Sequence, residues 1–111
     1  MLDMSKPYRY FYVEGVTDMR MGHYRLCNMI RETLKRDPYN GDVYIFMSKK
    51  RNTVKLLRYE NHAYALYTKT YEHEFRFLKI SASEGQETCL AIDRTQLSAM
   101  LNCPDRRILK V

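Results

Sequence analysis

The spacing of hydrophobic positions changes several times along the chain, and each change marks an element. Tyr8–Val13 reads YRYFYV, a run of strand-favouring aromatics that follows Pro7. Glu14–Gly15–Val16 interrupts it. From Gly22 to Arg36 the stripe His23, Leu26/Cys27, Ile30 and Leu34 recurs at three- and four-residue steps, which places it on one face of a helix. Arg25, Arg31, Glu32, Lys35 and Arg36 take the other face, and the late cations suit the negative pole of the helix dipole. Thr17 or Asp18 is expected to cap this helix through its short side-chain oxygen. Asp37–Pro38 is expected to end it, because the residue before proline avoids the α region. Tyr39–Asn40–Gly41–Asp42 reads as a turn.

A period of two then takes over. Val43–Ser48 is strand-like, with Val43, Ile45 and Met47 on one face and Tyr44 and Phe46 on the other. Lys49–Asn52 is a turn, Thr53–Glu60 a strand, Asn61–His62 a tight reversal, and Ala63–Lys69 the next strand. Thr70–Glu74 connects to a further strand at Phe75–Ile80, and Ser81–Glu87 is a polar loop. Links this short favour antiparallel hairpins, because parallel neighbours need long crossovers. Asp93 with Gln96 three residues on has the form of a capping box. It opens a second helix of about 93–102, with Leu97, Met100 and Leu101 inward and Pro104 as its stop. The tail Arg106–Val111 is left open between a short strand and a frayed end. The expected fold is α+β: a mostly antiparallel sheet of about five strands, the long helix (about 22–36) on one face, and the shorter C-terminal helix closing an end.

Composition narrows the function classes. The 111 residues are 45% hydrophobic and 29% charged, an ordinary globular balance, and are expected to form one domain over 1–111. No apolar run is long enough for a signal peptide or a membrane span. Cys27, Cys89 and Cys103 are odd in number and lack CxxC spacing, so reduced packing thiols in a cytoplasm are expected rather than disulfides or zinc. The net charge is +6, and residues 49–79 hold most of it, with eight basic against three acidic side chains. An isoelectric point near 9.3 favours anionic partners such as nucleic acid.

Catalytic patterns do not emerge. His23, His62 and His73 lie far apart, Glu72–His73–Glu74 reads as a solvated charge cluster, and the isolated glycines 15, 22, 41 and 85 form no phosphate-cradling loop. Asp18, Asp37 and Asp42 are the carboxylates that a metal-dependent nuclease would have to bring together. No enzyme, cofactor or metal site is expected.

The order of motifs carries a resemblance. Thr17–Asp18–Met19–Arg20 stands between an aromatic strand and a helix. Asp37–Pro38–Tyr39–Asn40–Gly41, the strand Val43–Met47, the basic turn Ser48–Arg51, the V-K-L-L strand Val54–Leu57, the aromatic strand Ala63–Lys69 and Phe75–Phe77 follow in order. Together they resemble the TnpB-type accessory protein, the second reading-frame product, of insertion-sequence family sixty-six. The resemblance covers roughly residues 8–101. The chain departs from the pattern in having no tryptophan, with Tyr59, Tyr64 and Tyr67 where large aromatics are usual, and in Met21 following Arg20.

The resemblance implies a non-catalytic accessory role in DNA transposition in a bacterial cytoplasm. Its expected partners are DNA at the element's ends, the element's transposase and a further accessory protein, with no membrane partner. By its own chemistry the chain offers a basic DNA-binding surface: Lys49, Lys50 and Arg51 at a hairpin tip, then Lys55, Arg58, Lys69 and Arg76. Tyr59, Tyr64, Tyr67 and Tyr71 are either half-buried sheet residues, the preferred reading, or rings that stack on bases. Of the motif residues Thr17, Asp18, Met19 and Arg20, a structural role is preferred for Asp18, capping the helix, and for Arg20, pairing with Asp18 or with a sheet carboxylate. The alternative function is a protein adaptor that docks onto the transposase without touching DNA, in which exposed strand edges also permit a homodimer.

Overall fold

A strand that is apolar at every position has to be covered on both faces, and one such strand organises this molecule. The computed structural model describes residues 8–13, 15, 17–50, 52–72 and 89–102. The elements are Tyr10–Val13 (β1), His23–Glu32 (α1), Val43–Met47 (β2), Thr53–Glu60 (β3), Ala63–Thr70 (β4), Cys89–Ile92 (β5) and Arg94–Asn102 (α2). The sheet order is β4-β3-β2-β1-β5, which places β2 at the centre with all five of its residues buried.

The alternation along β2 divides the core in two. Val43, Ile45 and Met47 pack with Tyr10, Tyr12, Val54 and Leu56, beneath Leu97 and Met100 of α2. Tyr44 and Phe46 pack with Phe11, Val13 and Leu57, beneath Leu26, Cys27 and Ile30 of α1. The helices therefore lie on opposite faces of the sheet. This corrects the expectation that the second helix closes an end: Leu97 and Met100 are fully buried against the face that α1 leaves open.

The sheet is mixed, not mostly antiparallel as expected. β1 and β2 run parallel, Tyr10 beside Val43 and Tyr12 beside Ile45. The cause is α1, which is the crossover that returns the chain to the same end of the sheet. The links read as hairpins are hairpins: β2 pairs antiparallel with β3, and β3 with β4 over eight residue pairs from Thr53–Thr70 to Glu60–Ala63. Asn61 and His62 both take positive φ, 52° and 61°, as a two-residue hairpin turn requires. The expected strand at Phe75–Ile80 lies outside the described residues. A strand that was not expected, β5, pairs antiparallel with β1.

Both helices are bounded by local chemistry. α1 spans ten residues rather than reaching Arg36. Lys35 adopts a left-handed φ of 57°, and the Arg36 N–H closes on the Ile30 carbonyl at 3.0 Å. Leu34 still packs into the α1-side core, which is why the apolar period outlasts the helix. The capping box at α2 forms as read: Gln96 N–H donates to Asp93 Oδ1 at 2.7 Å, and Asp93 N–H to Gln96 Oε1 at 3.0 Å. At the other end of α2 the Tyr71 hydroxyl donates to the Met100 and Leu101 carbonyls at 3.0 Å. Burial pushes the Tyr71 phenol up to about 12.

Two-sided burial makes a direct prediction. Ile30→Ala and Met100→Ala should each cost about 2–5 kcal/mol, because each leaves a cavity in a separate core layer. Urea unfolding measures both, and a near-neutral Met100→Ala would contradict the covering role of α2.

Candidate nucleic-acid interface

The Thr17–Arg20 motif forms a pinned turn ahead of α1. Thr17 is buried, and its N–H donates to the Met47 carbonyl at 3.0 Å, which ties the turn to the end of β2. Asp18 accepts the Arg20 backbone N–H at 2.9 Å and the Arg20 guanidinium at 2.8–3.2 Å. Met19 and Met21 pack against the α1-side core. From β3, the Lys55 ammonium donates to the Met19 and Met21 carbonyls at 2.7 and 2.9 Å. The pairing of Arg20 with Asp18 agrees with the expectation for the motif, but the cap does not. The helix N-cap is Gly22, with no side-chain cap bond, because the carboxylate of Asp18 is spent inside its own turn.

The electrostatics of this turn are one-sided. The Arg20 side chain, then its backbone N–H, holds the Asp18 carboxyl well below the usual aspartate range, and Arg25 adds to the effect. Arg20 is raised in turn by the same carboxylate. The ion pair is exposed, so its net contribution to stability is small. Its local consequence is that the carboxylate's charge is largely cancelled.

The basic tip between β2 and β3 is held from beneath. The Ser48 side-chain oxygen accepts the N–H groups of Asn52 and Thr53 at 3.3 and 3.1 Å, and the Ser48 N–H donates to the Thr53 carbonyl at 3.0 Å. The Tyr71 N–H donates to the Asn52 carbonyl at 2.7 Å. Ser48 is buried while Lys49 and Lys50 are exposed. The frame is thus rigid and the ammonium groups point to water.

These two features meet. Thr17, Asp18 and Met19 line one side of an open depression of about 550 Å³, and Ser48, Lys49, Lys50, Asn52 and Thr53 line the rest. The rim carries two lysines beside a neutralised carboxylate, a surface suited to a phosphate oxygen. Among the described residues no three His, Cys, Asp or Glu side chains converge to hold a metal.

The other cations named from the sequence have different surroundings. Lys55 braces the motif turn, as above. The Arg58 guanidinium donates to the Gly41 carbonyl at 3.1 Å, pairs with the Glu60 carboxylate and lies 4.0 Å over the Tyr8 ring; its side chain is 11% exposed. Lys69 donates to the Leu101 carbonyl at the end of α2. Arg51 and Arg76 lie outside the described residues. The tyrosines divide by the parity of the strand: Tyr67 and Tyr71 pack on the α2 side, while Tyr64 packs on the α1 side. Sequence reasoning missed Ser48 and Asn52 as the frame of the tip. Their signal was available, since a serine and an asparagine flanking three basic residues are turn formers.

Comparison with known proteins agrees with this architecture of motifs. Over residues 8–110 the chain matches the family described as "IS66 Orf2 like protein", and it belongs to that family. It is 31% identical over 107 residues to "Uncharacterized protein y4hO" of Sinorhizobium fredii (strain NBRC 101917 / NGR234), covering 96% of this chain and 90% of the relative. No solved structure matches. The chain is accordingly a transposition-associated accessory protein, from a family of accessory proteins and not of known enzymes. No helix among the described residues is long and apolar enough to cross a membrane.

The Asp18–Arg20 pair has a pH signature. A depressed carboxyl contributes stability that is complete above the ordinary aspartate range, about 3.9, and is lost as the pH falls below it. Carbon-detected NMR titration should find Asp18 ionising well below that value, and Arg20→Ala should return it upward. An ordinary aspartate titration in the unaltered protein would contradict the locked turn.

Proposed function

We propose that this protein binds DNA during transposition, through the basic tip and the motif turn beside it, at the ends of the mobile element. The observation that carries the reading is their juxtaposition: Lys49 and Lys50 share one depression with Thr17, Asp18 and Met19. Arg51 follows them directly in sequence. The charge distribution supports it, since the positive excess of the chain is concentrated in the segment that carries the tip.

The division of labour among the cations follows from their partners. Lys49, Lys50 and Arg51 contact phosphates, and Arg20 stays paired with Asp18, which keeps that carboxylate from opposing them. Lys55, Arg58 and Lys69 hold the frame by donating to backbone carbonyls and Glu60. The protein carries no chemistry of its own in this reading. It acts in the bacterial cytoplasm and supplies a positioned surface to a transposase that performs the cleavage and joining.

Phosphate binding by these groups releases counterions, so affinity falls linearly with salt on logarithmic axes. The triple variant Lys49→Ala/Lys50→Ala/Arg51→Ala should weaken DNA binding and reduce that slope by about 2–3, near 0.9 for each lost phosphate contact. A fluorescence titration across salt concentrations measures both. An unchanged slope would remove the tip from the interface. Salt-resistant co-purification with the transposase, together with an unchanged slope, would assign the accessory role to protein docking instead.

A further inference from the structure

The α1-side face of the β3–β4 ribbon carries a row of rings that the tip does not explain. Tyr24 and His23 of α1 sit 4.6 Å apart by ring centroid, His23 and Tyr64 4.5 Å, Tyr64 and Tyr59 5.1 Å, and Tyr59 and Tyr39 5.1 Å. Each ring touches the next, and the row crosses from the helix over the sheet to the turn before β2. Its ends are open to water, with Tyr24 68% and Tyr39 41% exposed and Leu66 of β4 37%, while His23, Tyr59 and Tyr64 between them are half-buried. Rings of this size stay in water at a cost unless something covers them.

The charge around the row identifies what fits. The side chains of β3 and β4 on this face include no carboxylate. Glu60 is on the other face, where Arg58 holds it. Between the rings and the basic tip the face carries Lys55, Thr53, Thr68 and Thr70, with the hydroxyls of Thr53 and Thr70 3.3 Å apart. The path lies over β4, because Leu57 of β3 is buried beneath α1: from Tyr64 through Leu66 and Thr68 to Thr70, opposite Thr53, is six residue steps of a strand, about 20 Å. Aromatic faces at one end, the hydroxyls of Thr68, Thr70 and Thr53 along the middle, and a lysine pair at the far end make one track; the nearest carboxylates, Asp37 beside Tyr39 and Asp18 beside the lysines, are held by the Tyr39 N–H and by Arg20. Bases stack on aromatic rings only when they are unpaired, while phosphates follow cations.

We propose that this face, with Tyr24, Tyr39, Tyr59 and Tyr64 as the stacking residues, binds an unpaired DNA strand. The strand runs from the ring row to the Lys49–Lys50 tip. This inference rests on the DNA-binding reading above and adds the form of DNA that is bound. Tyrosine rings also suit protein interfaces; what favours a nucleic-acid strand here is that the patch leads by way of Thr53 into the depression carrying Lys49 and Lys50.

Fluorescence anisotropy of the full chain tests it, with a labelled oligothymidylate of about 12 nucleotides and a duplex of the same length. Tyr24→Ala and Tyr39→Ala lie at exposed positions where the fold does not depend on the ring. Each should weaken single-strand binding about tenfold and leave duplex binding within about twofold, whereas Lys49→Ala/Lys50→Ala should weaken both. An oligonucleotide bearing 5-iododeoxyuridine should crosslink to Tyr24, Tyr39, Tyr59 or Tyr64. If the tyrosine variants leave single-strand affinity unchanged while the lysine variant lowers it, the track is refuted and tip binding stands. Equal losses on strand and duplex refute the preference for unpaired bases. Absence of binding to either DNA refutes the track and the reading beneath it. Loss of transposase co-purification by the tyrosine variants, with DNA affinity intact, assigns the face to a protein and overturns the proposal.

Discussion

Burial of β2 on both faces is the constraint from which the rest of the structure follows. Its five side chains alternate between two core layers, so neither layer can be left open to water without exposing large apolar area. α1 covers one layer and α2 the other. Because α1 must also link β1 to β2, the two strands run parallel and the chain leaves β2 at the end where the Thr17 turn sits. The Thr17 N–H bond to the Met47 carbonyl is where this becomes functional geometry, since it joins the motif turn to the last residue of β2. The basic tip follows immediately after, and the two are neighbours because the central strand ends there.

Much of the local structure was legible. The period of two separated Val43, Ile45 and Met47 from Tyr44 and Phe46 correctly, the capping box at Asp93 forms, and Asn61–His62 is the tight reversal expected. What was not legible depends on contacts distant in sequence. Parallel pairing of β1 and β2 is a property of the crossover, and nothing in either strand alone encodes it. The α1 stripe ran past the helix end because Leu34 packs inward from a non-helical backbone. Cys89–Ile92 was missed because four residues are too few to show a period.

The candidate site was legible in part for a related reason. Charge counting located the basic segment but cannot tell a cation facing water from one facing a carbonyl. Lys49 and Lys50 face water, whereas Lys55, Arg58 and Lys69 have partners 17 to 36 residues away along the chain among the backbone carbonyls they bind. Asp18 and Arg20 illustrate the converse. Their pairing is local and was expected, yet it removes Asp18 from the capping role, and the helix starts at an uncapped glycine instead. Membership of the IS66 Orf2-like family explains why these pieces occur together, and the structure explains why their order matters: motif turn and basic tip, far apart in the chain, form one surface.

The central claim is that this shared surface is where DNA is held. Amide chemical-shift mapping of the isotopically labelled protein, titrated with DNA at low salt, tests it most directly. DNA held there should perturb Thr17–Arg20 and Lys49, Lys50 and Asn52, and leave the outer face of α2, Arg94, Thr95 and Ser98, unmoved. Perturbations centred on α2, or none at saturating DNA, would contradict it.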